Sequence, residues 1–261
     1  MPKFRYAPML RTKAGEGTAL TNLTLAAKDR LLPVFHVVHK PPASFGNVIA
    51  AAWTGRSMAL DGTFSFVVTG SGAAYSQLFD HIGKGKVAVF PSVEYGADPT
   101  YVAVVQKLRG RYAPGVMVKA KPNQLSGVEK WVISQGWKTN EVDLVVTLTE
   151  IAGYDPEMLE PVVTKYIIDN IPNPSPWRSL TLSASAAPKD MGALVAGRNL
   201  VPRLEWRVWK GVSASLPYQL DYADFGTVHP ELTDPPGYVM ANATVSVRYT
   251  IISTSSPSSA S

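Results

Sequence analysis

Residues 143–183 read DLVVTLTEIAGYDPEMLEPVVTKYIIDNIPNPSPWRSLTLS. Asp143–Leu148 is a near-continuous apolar run, which predicts a strand covered on both faces. Asp155–Pro156 follows as a helix start, with an acid before a proline whose missing N–H costs nothing in a first turn. That helix is expected to run to Asn170, and WRSLTLS (Trp177–Ser183) reads as the next strand. Strand, helix and strand in about forty residues is the unit of a parallel sheet.

The same rhythm extends toward the N-terminus. Phe4–Leu10, Leu32–Val38, Ser57–Asp61, Val87–Phe90 and Gly115–Lys121 read as strands. Thr63–Thr69 is β-branched and aromatic and also reads as strand-like, across Gly62. Helices are expected over Glu16–Leu31, Ala73–Ile82, from Asp98–Pro99 to about Arg111, and from Ser126 through Gly136. About seven strands therefore alternate with helices before residue 185. The expected class is α/β, a TIM-barrel-like (β/α)8 fold with an irregular C-terminal block; a doubly wound open sheet is the alternative. In that block Arg203–Ala214 reads as a helix with Trp206 and Trp209 on one face, Leu216–Phe225 as strand-like, and Ala243–Ile251 as a half-exposed strand. One domain is expected over 1–252, followed by a disordered Ser-rich tail over 253–261.

Composition narrows the chemistry. The chain has 261 residues, 46% of them hydrophobic and 17% charged, enough to build a large core. It has no cysteine, which excludes disulfide scaffolds, thiolate metal sites and thiol catalysis. It has only four histidines, and His36 and His39 would fall on opposite faces of a strand, so no metal site is predicted. Neither the dinucleotide glycine fingerprint nor the phosphate-loop lysine motif occurs, and no cofactor is predicted. DFG at Asp224–Gly226 lacks the other kinase motifs and reads as a turn, and no G-x-S-x-G occurs. No apolar run reaches the length of a membrane span, and the charged start MPKFRYAPMLRTK is unlike a signal peptide. No membrane partner and a cytoplasmic setting (the host cytoplasm for a phage-encoded chain) are expected. The net charge is +5 and the pI about 9.3, but the cations are spread along the chain. They read as a basic solvated surface, and nucleic-acid binding rests on pI alone.

The stretch 176–230 carries WRSLT, then PKD, then PRLEWRVW, then DFGTVHP. With APMLRTKAGE near the start, PVFHVVHKPP at the second strand and NATVSVRYT near the end, it resembles the "beta protein" family of phage and bacterial genomes. The resemblance implies an accessory or binding protein of phage or mobile-element origin, acting in phage–host conflict through a protein partner. Three departures accompany it. Family members commonly carry an acid where this chain has His36 and another where it has Thr147, and they continue past the R-Y-T segment where this chain turns Ser-rich.

In a β/α barrel, functional side chains gather at the C-terminal ends of strands. That rule selects Lys13, His36 and His39, Asp61, Glu94, Lys119 and Lys121, Glu150, Ser183, Lys189 and Asp224. The catalytic candidates are Lys13, Asp61, Glu205 and Asp224. The ligand-binding candidates are Arg203, Lys119, His36 and His229. Together they would suit a hydrolase or lyase acting on a small anionic or phosphate-bearing ligand. Arg203 and Glu205 equally suit an internal Arg–acid network that fixes the C-terminal block to the barrel.

Overall fold

The computed structural model describes residues 5–38, 41–189, 201–226 and 228–231. Eight parallel strands close into a barrel in sequence order: β1 (Tyr6–Arg11), β2 (Val34–His36), β3 (Ser57–Asp61), β4 (Ala88–Glu94), β5 (Val116–Ala120), β6 (Val142–Glu150), β7 (Ser179–Ser185) and β8 (Asp221–Asp224). Closure is direct, because Ala7 of β1 pairs with Ala223 of β8. The barrel reading therefore holds, and the doubly wound open sheet is excluded.

Helices fill every connection. They are α1 (Ala14–Thr21) and α2 (Leu25–Lys28), α3 (Phe45–Trp53), α4 (Thr63–Thr69) and α5 (Ala73–Lys84), α6 (Pro99–Leu108), α7 (Leu125–Ser134), α8 (Pro156–Asn170) and α9 (Leu204–Ser215). Two start signals act as expected. The Asp98 carboxylate accepts the Thr100 N–H at 2.7 Å, and Asp155 accepts the Glu157 N–H at 2.9 Å, each with proline next in the chain.

Period two divides each strand between two cores. Ala7, Met9, Val34, Ala59, Phe90, Met117, Val145 and Ala223 form a cluster inside the barrel. Their neighbours, among them Phe35, Leu60, Val89, Val118, Leu144 and Leu182, pack outward with helix residues such as Ile49, Phe79, Val105 and Ile167. Alanines on β1, β3 and β8 beside Phe90 and Met117 let side chains of unequal size fill a narrow interior.

Four local expectations are corrected. The helix expected over Glu16–Leu31 is two helices. Asn22 ends α1, and the Thr24 hydroxyl restarts the chain as α2 by accepting the Ala27 N–H. Thr63–Thr69 is a helix despite its β-branched residues. The Asp61 carboxylate accepts the Thr63 N–H at 2.9 Å, and Gly70, at φ 64°, closes the other end as a left-handed cap. Capping at both ends outweighs a propensity worth tenths of a kcal/mol per residue. The helix Phe45–Trp53 is not among the expected elements, although Phe45, Ile49 and Trp53 recur at helical spacing and are buried. The strand-like stretch Leu216–Phe225 contracts to Asp221–Asp224. The strand expected at 243–251, the tail at 253–261 and His39 lie outside the described residues.

A polar plug seals the N-terminal end of the barrel. Asp143, at the start of β6, is buried and accepts Arg178 at 2.6 Å, Ser179 at 2.5 Å and Arg5 at 3.3 Å. Arg5 also reaches Asp221 at 3.2 Å, and Arg178 lies 4.7 Å from the centre of the Phe90 ring. Burial alone would raise the Asp143 carboxyl, but the two guanidinium groups and Ser179 hold it below its ordinary value. Charge thus closes this end, and the opposite end is left to form a cavity.

Candidate functional site at the barrel mouth

The inward side chains at the strand C-termini are polar where the lower layers are apolar. The register aligns Arg11, His36, Asp61 and Ser92 across the first four strands. Lys119, Thr147 and Ser183 continue the inward set on β5, β6 and β7. They border a cavity of about 310 Å³ whose lining includes His36, Asp61, Glu94, Lys119, Thr147 and Ser183. Met9, Phe64, Val67, Phe225 and Pro230 give it an apolar side.

Lys119 and Asp61 are the centre of the site. Their side chains are 8% and 1% exposed and lie 2.8 Å apart. Asp61 also accepts the Ser92 hydroxyl at 2.9 Å and the Thr63 N–H at 2.9 Å, which fixes its orientation. Lys119 donates a second bond to Glu94 at 3.2 Å. Burial would raise the Asp61 carboxyl and lower the Lys119 ammonium, but their mutual attraction reverses both. Asp61 is held far below the usual carboxylate range, and Lys119 is raised with help from Glu94. The pair is therefore charged at neutral pH.

His36 is the opposite case. Burial, then the Lys119 and Arg11 cations, push it down to about 4, against a smaller upward pull from Asp61. It is neutral at pH 7. Its Nε2 has no hydrogen-bond partner among the described residues, nor does the Oγ of the fully buried Ser183. Buried polar atoms without partners are uncommon in folded proteins. Two of them in the lining of one cavity, beside a charged lysine, mark places where a ligand can bond.

The chain after β8 crosses this mouth. The Phe225 ring lies over His36, with centres 5.9 Å apart and planes 23° from parallel. Arg11 donates to the carbonyl oxygens of His229 and Glu231, both at 2.8 Å. His229 Nε2 stands 3.0 Å from Glu150, without hydrogen-bond geometry, and Lys189 reaches Glu231 at 2.5 Å.

The candidates thus divide. His36, Asp61 and Lys119 meet at the mouth, with Glu94 and Ser183. His229 belongs to the crossing segment and does not line the cavity. Lys13 is the N-cap residue of α1 and is likewise outside the lining. Arg203, Glu205 and Asp224 form a separate network on the outer face of β8. Arg203 donates to Glu205 and Asp224 at 2.7 Å and to Tyr222 at 2.8 Å, and Tyr6 and Tyr222 donate to Asp224, both at 2.6 Å. Burial and then the Asp224 charge raise both phenols, so they remain donors. Asp224 shares its parity with Tyr222, opposite to the inward Ala223, so this network faces α9 and not the cavity.

Sequence reasoning missed Ser92 and Arg11. Both are readable from strand parity: Ser92 is two residues beyond inward Phe90, and Arg11 two beyond inward Met9. Among the described residues no cluster of three His, Asp or Glu could hold a metal ion, and no helix is long and apolar enough to cross a membrane.

The model of the family described as Beta protein matches residues 6–254. No curated protein matches the chain. Two solved structures of the tryptophan synthase α-subunit from Pyrococcus furiosus are similar at 10% identity, each covering 87% of this chain and 89% of its own. One is a point mutant of that subunit, with a TM-score of 0.48, and the other has a TM-score of 0.47.

Proposed function

The chain belongs to the Beta protein family, and we propose that its barrel mouth is an acid–base site acting on a small anionic ligand, as a hydrolase or lyase. The observation that carries this reading is the pairing of opposites in one cavity: a neutral His36 with an unpartnered Nε2 beside a Lys119 held charged by Asp61. His36 accepts a proton from the ligand or from an attacking water. Lys119 stabilises negative charge on the ligand oxygen that develops it, and Ser183 Oγ orients the same group. Phe225 and the segment tied down by Arg11 keep bulk water from the site, which strengthens each of these interactions.

The test is turnover across a panel of small carboxylic and phosphoric esters and hydroxy acids, for the wild type, His36→Gln and Ser183→Ala. A positioned base is worth about 10²–10⁴ in rate, so His36→Gln is expected to lose that much while remaining folded. Turnover of no panel member, or full activity in His36→Gln, would sink the reading.

A second reading is the accessory protein of phage or mobile-element origin that works through a protein partner. One feature favours it. Met158, Val162 and Tyr166 recur every four residues on α8 and are exposed, Met158 by 72%, with Tyr154 just before the helix. Such a stripe is the usual form of a helix-docking face. Met158→Asp with Val162→Asp should abolish capture of a host protein that binds the wild type. Equal capture by both forms would remove α8 from the interaction.

A further inference from the structure

Lys119 is bound unequally by its two carboxylates. Asp61 is 1% exposed, 2.8 Å away, and locked by Ser92 and Thr63. Glu94 is 57% exposed, 3.2 Å away, and its backbone ends β4, where the chain leaves the barrel. An exposed, longer contact of this kind contributes little and is readily given up. Lys119 therefore has one permanent partner and one replaceable partner, and the replaceable one lies at the cavity lined by His36 and Ser183, whose Nε2 and Oγ lack partners.

From this we infer that the mouth takes a small monocarboxylate bearing an adjacent hydroxyl or carbonyl, and that Glu94 occupies the ligand carboxylate's place in the free protein. The inference rests on the barrel-mouth reading and narrows its ligand. Exchanging one carboxylate for another on Lys119 leaves the charge of the site unchanged. A phosphate dianion would add a charge beside Asp61. Lys119 is the cation in the cavity lining that would have to balance it, Arg11 being engaged by the His229 and Glu231 carbonyls outside that lining, so the charge count favours the carboxylate. A neighbouring hydroxyl can donate to His36 Nε2 and accept from Ser183 Oγ, and a neighbouring carbonyl can accept from Ser183 Oγ. The cavity, about 310 Å³, is at the lower limit for ligand pockets, and Met9, Phe64 and Phe225 leave room for a short apolar tail.

Glu94→Gln tests this without disturbing the core, since the side chain is exposed. L-Lactate, propionate and inorganic phosphate are titrated into the wild type and the variant at constant ionic strength, with binding read from calorimetry and from the His36 ring resonances. Lactate is expected to bind both forms and to move the His36 signals. Removing the competing charge should tighten it about threefold to tenfold, as expected for a partly screened charge pair. Propionate, lacking the hydroxyl, should bind more weakly than lactate. Unchanged or weaker lactate binding in Glu94→Gln overturns the placeholder role while leaving the mouth as a ligand site. Phosphate binding more tightly than lactate, or no lactate binding to either form, overturns the carboxylate assignment. Lactate binding that leaves the His36 resonances unmoved overturns the barrel-mouth reading itself.

Discussion

Acidification from pH 7 to 4 should destabilise this protein chiefly through His36. The native ring is pushed down from 6.5 to about 4 by its burial and by Lys119 and Arg11, with Asp61 pulling the other way. In the unfolded chain it titrates at its ordinary value. Between those limits the unfolded state binds a proton that the native state refuses, so stability falls as the pH falls. At about 1.4 kcal/mol per pH unit, the full window removes about 3 kcal/mol, a large share of the stability of an ordinary domain. Glu16 and Asp221 are raised by burial, so through them acidification favours the native state; this offset is common to the wild type and a His36 variant and cancels in their comparison. Asp61 and Asp143 are held below 3.8, so their contributions are present above that value and are lost only as the pH falls further. Urea unfolding at half-unit steps from pH 7.5 to 4, on the wild type and His36→Gln, isolates the effect. The two stabilities should diverge below pH 6.5, with the wild type losing about 3 kcal/mol more than the variant. Parallel curves, or a native His36 resonance titrating near 6.5, would refute the premise that the ring is buried neutral.

Three further outcomes follow from the same contacts. Arg203→Ala leaves Glu205 and Asp224 buried without their cation; it should cost about 2 kcal/mol in denaturant unfolding while leaving ligand binding at the mouth unchanged. Asp143→Asn removes the charge that holds Arg5 and Arg178 at the closed end, and calorimetry should show a loss of about 2 kcal/mol, below the full penalty for a broken buried pair because both arginines keep some contact with water. Gly115→Ala places a Cβ against the Glu141 carbonyl and the Arg178 guanidinium, at a φ of +100°; a lower melting temperature is expected, and an unchanged one would mean that the β5 entrance is more yielding than its geometry implies.

The barrel was legible because its signals are local and repeated. Asp98–Pro99 and Asp155–Pro156 begin helices where the capping chemistry requires, and the apolar run of β6 needs cover on both faces. What propensity misjudged was α4, where the deciding bonds come from an Asp61 side chain and a left-handed Gly70 at opposite ends of a β-branched segment. The break between α1 and α2 escaped for a related reason. Leu20, Leu23, Ala27 and Leu31 keep a helical spacing straight through Asn22 and Thr24, the residues that end one helix and cap the next.

The site was legible only in part, and the limit is physical. Strand ends point to the mouth only if the side chain has inward parity, and a period of two makes an error of one residue decisive. Asp61, His36 and Lys119 have that parity. Asp224 ends its strand as they do but faces outward, so an acid that resembles a catalytic group binds Arg203 and two tyrosines instead. At the end of β2, the residue type at position 36 decides what the mouth can do. Beside the fixed negative charge of Asp61, an acid in place of His36 would be a second like charge, or a protonated carboxyl, in the same buried layer. A neutral imidazole can stand beside the Asp61–Lys119 pair without disturbing it and still keep an unpartnered nitrogen at the mouth. His36 thus leaves the ion pair intact and the mouth able to accept a proton.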